Sequence, residues 1–253
     1  MKSVISPDYI QLEAELKGLA EGQYTPLQTF CNNRNTVELV EIGGRQMVLK
    51  KYKPTGLFTG ILYTFFRRTK GRRAYEHAMR LLATGISTPK PVAYFEEKRR
   101  GLFHKGYFIS EYVDLPTLYK PYYDLEHGFT DEERKNVSYQ LAEYTLDLHN
   151  RGIMPLDFNM ANIMWQKEGD KYHFTLIDIN RMRFGKVKGL HRKMLSFFQL
   201  GTYYPFHRIM LENYCYLTGY DLEDCLYHII GYRRHQRFLR RIKSFFKPRR
   251  YNK

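Results

Sequence analysis

Apolar and polar positions alternate through the first half of the chain and change to helical spacing in the second. Residues 25–31 and 36–42 alternate, a Gly43-Gly44 pair interrupts, and residues 45–52 alternate again. Two such runs joined by Gly-Gly predict a hairpin, because glycine supplies the positive φ angles of a tight primed turn. Residues 71–84 place Ala74, Ala78, Leu81 and Leu82 at three- and four-residue spacings, which predicts a helix with one apolar face. Two more strand-like runs, 91–97 and 106–113, are joined across Arg99-Arg100-Gly101. A loop opens at Leu115-Pro116. Thr130 and Glu133 then have the spacing of a capping box, ahead of a helix running to about Asn150 with Val137, Leu141, Tyr144 and Leu148 inward. Short strand runs follow at 163–166 and 174–178, and the rest, from about Leu190, reads as helical. Residues 1–22 read as a helical leader.

The order is therefore five strands with one inserted helix, then a mostly helical half. This predicts an α+β chain with a leader over 1–24, a sheet lobe over 25–114, a helical lobe over 115–230 and a tail over 231–253. The hinge falls near 111–118, so Glu111 and Val113 border the cleft where two such lobes would take a ligand.

Composition narrows the class. The 253 residues are 43% apolar, which excludes wholesale disorder, and hold 22 Tyr and 17 Phe. The apolar stretch 54–66 is shorter than the roughly 20 residues of a bilayer span, and no continuous apolar run near the start suggests a signal peptide. Cys31, Cys215 and Cys225 form no CxxC pair, which points to a reducing cytosol rather than a disulfide scaffold or zinc ribbon.

Charge changes the picture further. The net charge is +15, yet residues 231–253 carry ten bases and no acid, leaving thirty-one bases against twenty-six acids elsewhere. Within that tail Phe238, Ile242, Phe245 and Phe246 fall on one helical face. A basic helix with an aromatic stripe suits an anionic bilayer surface or RNA; the same pattern also fits a last helix docked by its stripe on the core. A second patch spans 50–73, where Lys50, Lys51, Lys53, Arg67, Arg68, Lys70, Arg72 and Arg73 flank the apolar 54–66. That segment reads either as a headgroup-level membrane contact or as a buried linker.

The chemistry is concentrated between residues 148 and 180. Leu148, His149, Gly152, Ile153, Asp157, Asn162 and Ile163 match in register the catalytic loop LHxxGIxHRDxxxxNI, which they resemble, of the protein kinase-like fold. Asp178, twenty-one residues beyond Asp157, ends an apolar strand where kinases carry DFG. Met47-Val48-Leu49-Lys50 resembles their VAIK strand, and Glu76 lies on the helix that follows. Phosphoryl transfer needs few groups, because it is mostly positioning and charge neutralisation. Asp157 suits the proton of an acceptor hydroxyl. Asn162 and Asp178 supply hard oxygen ligands for Mg²⁺, and Lys50, oriented by Glu76, suits the phosphates of ATP. The resemblance is incomplete. Pro155 and Leu156 replace the His and Arg of HRD, no APE follows Asp178, and Cys31-Asn32-Asn33-Arg34-Asn35 stands in place of a Gly-rich loop. Asn32 and Asn33 can take tight turns and bond phosphate through their side chains. Loss of that Arg argues against control by a phosphorylated activation loop and against protein substrates.

A narrower resemblance is to the lipopolysaccharide core kinases of the Kdo kinase group. Asp157-Phe158-Asn159-Met160-Ala161-Asn162-Ile163 is similar to their DLNAHNI loop, and residues 73–93 to their RAxxEFxxLxxLxxxGxPVPxPVA helix and strand. The resemblance covers about residues 30–200. It implies a two-lobed kinase fold and ATP-dependent phosphorylation, with Mg²⁺, of Kdo or a neighbouring core sugar. The acceptor would be a lipid A precursor at the cytoplasmic membrane face. Such an acceptor is anionic and amphiphilic, which basic patches with apolar neighbours suit; no protein partner is inferred, and nucleic acid is a weaker fit. Three other readings remain open: a kinase-like protein that binds without catalysis, a small-molecule kinase, and an RNA-associated kinase-like protein.

Overall fold

Six antiparallel strands form the sheet that the alternating first half encodes. In the computed structural model, which describes residues 1–33, 35–199 and 205–245, these are β1 (Lys2–Ile5), β2 (Gln28–Asn32), β3 (Asn35–Ile42), β4 (Arg45–Tyr52), β5 (Pro91–Arg99) and β6 (Leu102–Glu111). Their order across the sheet is β1-β5-β6-β4-β3-β2. Ile42 pairs with Arg45 across Gly43 and Gly44, whose φ angles of 55° and 70° are those of a primed two-residue turn.

The structure divides into two compact units, residues 1–116 with 175–181, and residues 117–174 with 182–253. Two expectations are corrected here. Residues 1–24 are not a separate leader: β1 pairs with β5, and α1 (Glu13–Glu21) buries Leu16 and Leu19 in the core of the first unit with Val40, Met47, Leu49, Phe95 and Ile109. The sheet accordingly has six strands rather than five. A four-residue edge strand is specified by its partner rather than by its own pattern. The segment 175–181 likewise belongs to the first unit, inside the stretch expected to form the helical lobe.

Between β4 and α3 (Lys70–Ala83) lies a short helix, α2 (Leu57–Ile61), continued by a wider turn over Leu62–Phe66 in which the Arg67 amide donates to the Leu62 carbonyl. The buried-linker reading of this segment does not hold: Leu57, Phe58, Phe65 and Phe66 are exposed. Thr69 caps α3 by accepting from the Arg72 amide, and Ala74, Tyr75, Ala78 and Leu81 form its buried face. Leu82, expected inward, is exposed, because the apolar arc turns toward Gly71 and Tyr75. A Cβ on Gly71 would stand 2.7 Å from the Tyr107 carbonyl, so α3 meets β6 at glycine distance.

The second unit is built on α5 (Asp131–Asn150), whose Thr130–Glu133 capping box forms as its spacing predicts. The loop expected before it contains α4 (Tyr119–Tyr123). After α5 come β7 (Ile153–Pro155), β8 (Ile163–Glu168), β9 (Lys171–Leu176), β10 (Met182–Phe184), α6 (Leu190–Lys193), α7 (Pro205–Thr218) and α8 (Leu222–Phe245). β7 pairs with β10, and β8 with β9. On α8 the two described members of the tail's stripe are not docked: Phe238 is 60% exposed and Ile242 is also exposed. Phe246 and the bases from Lys247 onward lie outside the described residues. Among the described residues, no helix is long and apolar enough to cross a membrane.

Candidate active site

In the first unit, β4 carries Lys50 to Asp178, the residue two beyond the end of β9. Lys50 Nζ stands 2.6 Å from Asp178 Oδ1, with both side chains largely shielded from solvent. Asp178 has φ 51°; among the described residues, the other non-glycine residue at positive φ is Arg100, in the β5–β6 turn. Asp tolerates this region better than most residue types, and strained backbone of this kind clusters at functional sites. The Asn180 carboxamide donates to the same Oδ1.

α3 holds the backbone of this turn from two points. The Arg73 guanidinium donates to the Asn180 carbonyl at 3.0 Å, and His77 Nδ1–H donates to the Ile179 carbonyl at 2.8 Å. Burial lowers the pKa of both side chains, and Arg73 adds to the effect on His77. Tyr52 is buried with its hydroxyl unpartnered, and burial first, then the Asp178 charge, drives its pKa far up. Arg73, His77, Asn180 and Tyr52 escaped the sequence reading. The i, i+4 spacing of Arg73 and His77 on a helix, which puts both on one face, was the available signal.

The expected Lys50–Glu76 ion pair is not formed, which is a correction. Glu76 instead takes Arg68 Nη1 at Oε2 and Arg72 Nε at Oε1, each at 2.8 Å. Arg72 is one helical turn before Glu76, so this alternative is local and requires no tertiary rearrangement. The hinge residues behave differently from one another. Glu111 accepts from the Tyr9 hydroxyl at 2.6 Å, and its amide donates to the Lys90 carbonyl. Val113 is half-buried just beyond the Tyr112 amide, which donates to the Gln46 carbonyl. Asn32, at the end of β2, accepts from the Thr36 hydroxyl, and Asn33 is exposed beside it. Phe30 on β2 stacks on Tyr112 with ring centroids 6.2 Å apart, an aromatic pair the sequence reading did not single out.

In the second unit, the loop after β7 is tied around one carbonyl. The side chains of Asn159 and Asn162 donate to the Asp157 carbonyl at 3.1 and 2.9 Å. Asn159 Oδ1 also accepts from the Ala161 amide, which caps the single turn over Met160–Asn162. With its amide group committed, Asn162 keeps its carboxamide oxygen as the atom able to take a cation. Phe158 is buried and anchors the loop, while Asp157 is half-exposed.

Among the described residues, no three His, Cys, Asp or Glu side chains cluster as a metal cage. The Asp178 carboxylate in the first unit and the Asn162 oxygen in the second are each hard donors of the type that suits Mg²⁺, an ion that takes one or two protein ligands and completes its octahedron with phosphate oxygens and water.

The model of the Lipopolysaccharide kinase (Kdo/WaaP) family matches residues 35–192. A solved structure described as WaaP in complex with acyl carrier protein is similar in fold, with a TM-score of 0.62, 14% sequence identity, and coverage of 98% of this chain and 100% of that one. A Neurospora crassa PAN3 pseudokinase aligns with a TM-score of 0.45 at 14% identity, over 75% of this chain and 46% of that one. No curated protein matches.

Proposed function

The chain belongs to the lipopolysaccharide kinase (Kdo/WaaP) family and has the protein kinase-like fold, and from that premise we propose that it transfers the γ-phosphoryl group of ATP to a hydroxyl of Kdo or a neighbouring core sugar of a lipid A precursor. The observation that carries the proposal is the Lys50–Asp178 pair, with Asp178 at positive φ. A cation and a carboxylate held together are the two charges a triphosphate requires, one for its oxygens and one for its metal.

The residues divide the work by charge. Lys50 exchanges Asp178 for the α- and β-phosphates. Asp157 orients the acceptor hydroxyl and takes its proton as the oxygen attacks the γ-phosphorus. Asp178 would hold Mg²⁺, which when bound neutralises charge on the phosphates, and Asn162 is the second unit's hard oxygen donor. Arg73 and His77 keep the turn at Asp178 fixed, so that its carboxylate is preorganised rather than ordered on binding. Asp157 stands at the position of the kinase base, and the replacement of the neighbouring His and Arg by Pro155 and Leu156 leaves that role in place.

The acceptor's phosphates and carboxylates suit the basic surfaces of this chain, and we place the protein as a peripheral component of the cytoplasmic membrane face. The exposed Phe238 and Ile242 among the bases of α8 support that placement. Each Lys or Arg near an anionic surface contributes about 1 kcal/mol. A second partner, which the sequence reading did not infer, is suggested by the complex in which the solved WaaP occurs: an acyl carrier protein, testable by gel filtration of the mixture. The deciding experiment is incubation of the purified protein with labelled ATP, Mg²⁺ and a Kdo–lipid A precursor. Label on the lipid is the expected result. Label absent from lipid at saturating ATP, with the protein folded, would refute the assignment.

A further inference from the structure

The segment between β4 and α3 is seated firmly on one side and uncovered on the other. Gly60 packs so closely that a Cβ there would stand 2.8 Å from the Phe103 carbonyl. The Thr64 hydroxyl donates to the Gly60 carbonyl at 2.7 Å and accepts from the Phe103 amide at 2.8 Å, and the Thr55 amide donates to the His104 carbonyl. Tyr63 meets Phe103 edge-on at 5.4 Å. These contacts fix the inner face against β6. The outer face presents Leu57, Phe58, Phe65 and Phe66, which are 73%, 82%, 68% and 79% exposed. Four large apolar side chains exposed within ten residues form a patch of the kind that marks an interaction surface.

The charges around the patch indicate what covers it. From Ile42 to Tyr75 the chain holds nine bases and no acid. Lys53 precedes the apolar tip, and Arg67, Arg68 and Lys70 follow it. An apolar tip ringed by long basic side chains matches the boundary between acyl chains and anionic headgroups, where stems lie along the apolar layer and cations reach phosphate. Arg68, two residues beyond the tip, and Arg72, in the first turn of α3, are the arginines that hold Glu76.

We propose that residues 57–66 are a rigid, shallow membrane-inserting tip, and that lipid phosphates compete with Glu76 for Arg68 and Arg72, freeing Glu76 to orient Lys50. The docking half stands alone. The release half rests on the kinase reading above, because only there does a free Glu76 strengthen the hold of Lys50 on nucleotide.

The test uses the full chain and two vesicle compositions, neutral phosphatidylcholine and a mixture with one-third phosphatidylglycerol. Wild type is expected to co-sediment with the anionic vesicles, and Phe58→Ser/Phe65→Ser/Phe66→Ser to bind about tenfold less or weaker still. All three side chains are exposed, so circular dichroism and thermal unfolding should be unchanged. Equal binding by the triple variant would overturn the docking proposal, as would wild type that ignores both compositions, the result expected if a protein covers the patch. Binding of a fluorescent ATP analogue supplies the second readout. Anionic vesicles should tighten it several-fold for wild type, while Arg68→Gln/Arg72→Gln should bind nucleotide tightly with or without vesicles. Nucleotide affinity unmoved by vesicles that do bind the protein would overturn the release of Glu76. Failure of label transfer to lipid would leave the co-sedimentation result standing, so the two readings fail separately.

Discussion

Acid should unfold this protein partly through one histidine. His149, at the end of α5 and ahead of the Asp157 loop, is 3% exposed. Its Nδ1 lies 2.7 Å from the Tyr214 hydroxyl and its Nε2 3.0 Å from the Ser196 hydroxyl. Neutral imidazole satisfies both contacts, donating through one nitrogen and accepting through the other, and no carboxylate is among these partners to offset an imidazolium's charge. Burial, assisted by the nearby Lys193 charge, pushes its pKa down to about 4. The unfolded value is about 6.5, so between pH 4 and 6.5 the unfolded chain binds the extra proton and stability rises with pH. The contribution is complete above pH 6.5 and is lost as pH falls toward 4. At about 1.4 kcal/mol per unit, the shift amounts to about 3 kcal/mol. Urea unfolding at pH 7.5, 6.5, 5.5 and 4.5 measures it. His149→Gln should be less stable at pH 7.5, yet its stability should fall less steeply with acid by about one proton, or about 1.4 kcal/mol per pH unit between 4.5 and 6. Carboxylates titrate in both proteins and cancel in the comparison. Identical slopes for the two proteins would refute the argument.

Three further outcomes are expected. Asp157→Asn should fold and bind ATP while label transfer drops by roughly 10²- to 10⁴-fold, whereas Asp178→Asn should weaken metal–nucleotide binding as well, with partial recovery at raised Mg²⁺ in a titration. Gly152→Ala should destabilise by at least about 1–3 kcal/mol in thermal unfolding, because Gly152 has φ 72° and a Cβ there would stand 2.8 Å from the Gly185 carbonyl. Truncation before Phe238 keeps the packing of Tyr232 and Arg233 on Phe198; it should reduce co-sedimentation with anionic vesicles and flatten its salt dependence, and unchanged salt dependence would remove the tail as a contact.

The elements that were legible in the sequence are those whose signals are local. The Gly43-Gly44 hairpin, the Thr130–Glu133 box and the apolar face of α3 each rest on residues within a turn or two of one another. β1, β7 and β10 were not legible, since three or four residues carry no pattern and each exists only because a partner strand is present. The site divides in the same way. Asp157, Asn162, Asp178 and Lys50 are candidates because of the spacing of motifs, but a motif names residues without naming their partners. Lys50 meets Asp178, and Glu76 meets Arg72, one turn away on the same helix, and Arg68, just ahead of that helix. Arg73 and His77 support the site through backbone carbonyls, and their i, i+4 spacing puts them on one helix face without naming the carbonyls they reach.

The replacement of the kinase His and Arg by Pro155 and Leu156 raises the question of what fixes the catalytic loop here. Pro155 is buried in β7 opposite Met182 of β10. β7 has one partner strand, so a residue without an amide proton is tolerated at its edge. An apolar anchor of this kind sets where the loop leaves the sheet but cannot orient Asp157. That task falls to Asn159 and Asn162, whose side chains converge on the Asp157 carbonyl and fix the backbone from which the carboxylate projects. Two neutral carboxamides therefore hold the loop backbone, while Leu156 takes the position of the charged arginine. An arginine can be paired and unpaired by a phosphate; a carbonyl bound by two amides offers no such control. On the proposed role of Asp157, control by a phosphate at this loop is not expected, and a ligand contact elsewhere in the protein is the place to look for it.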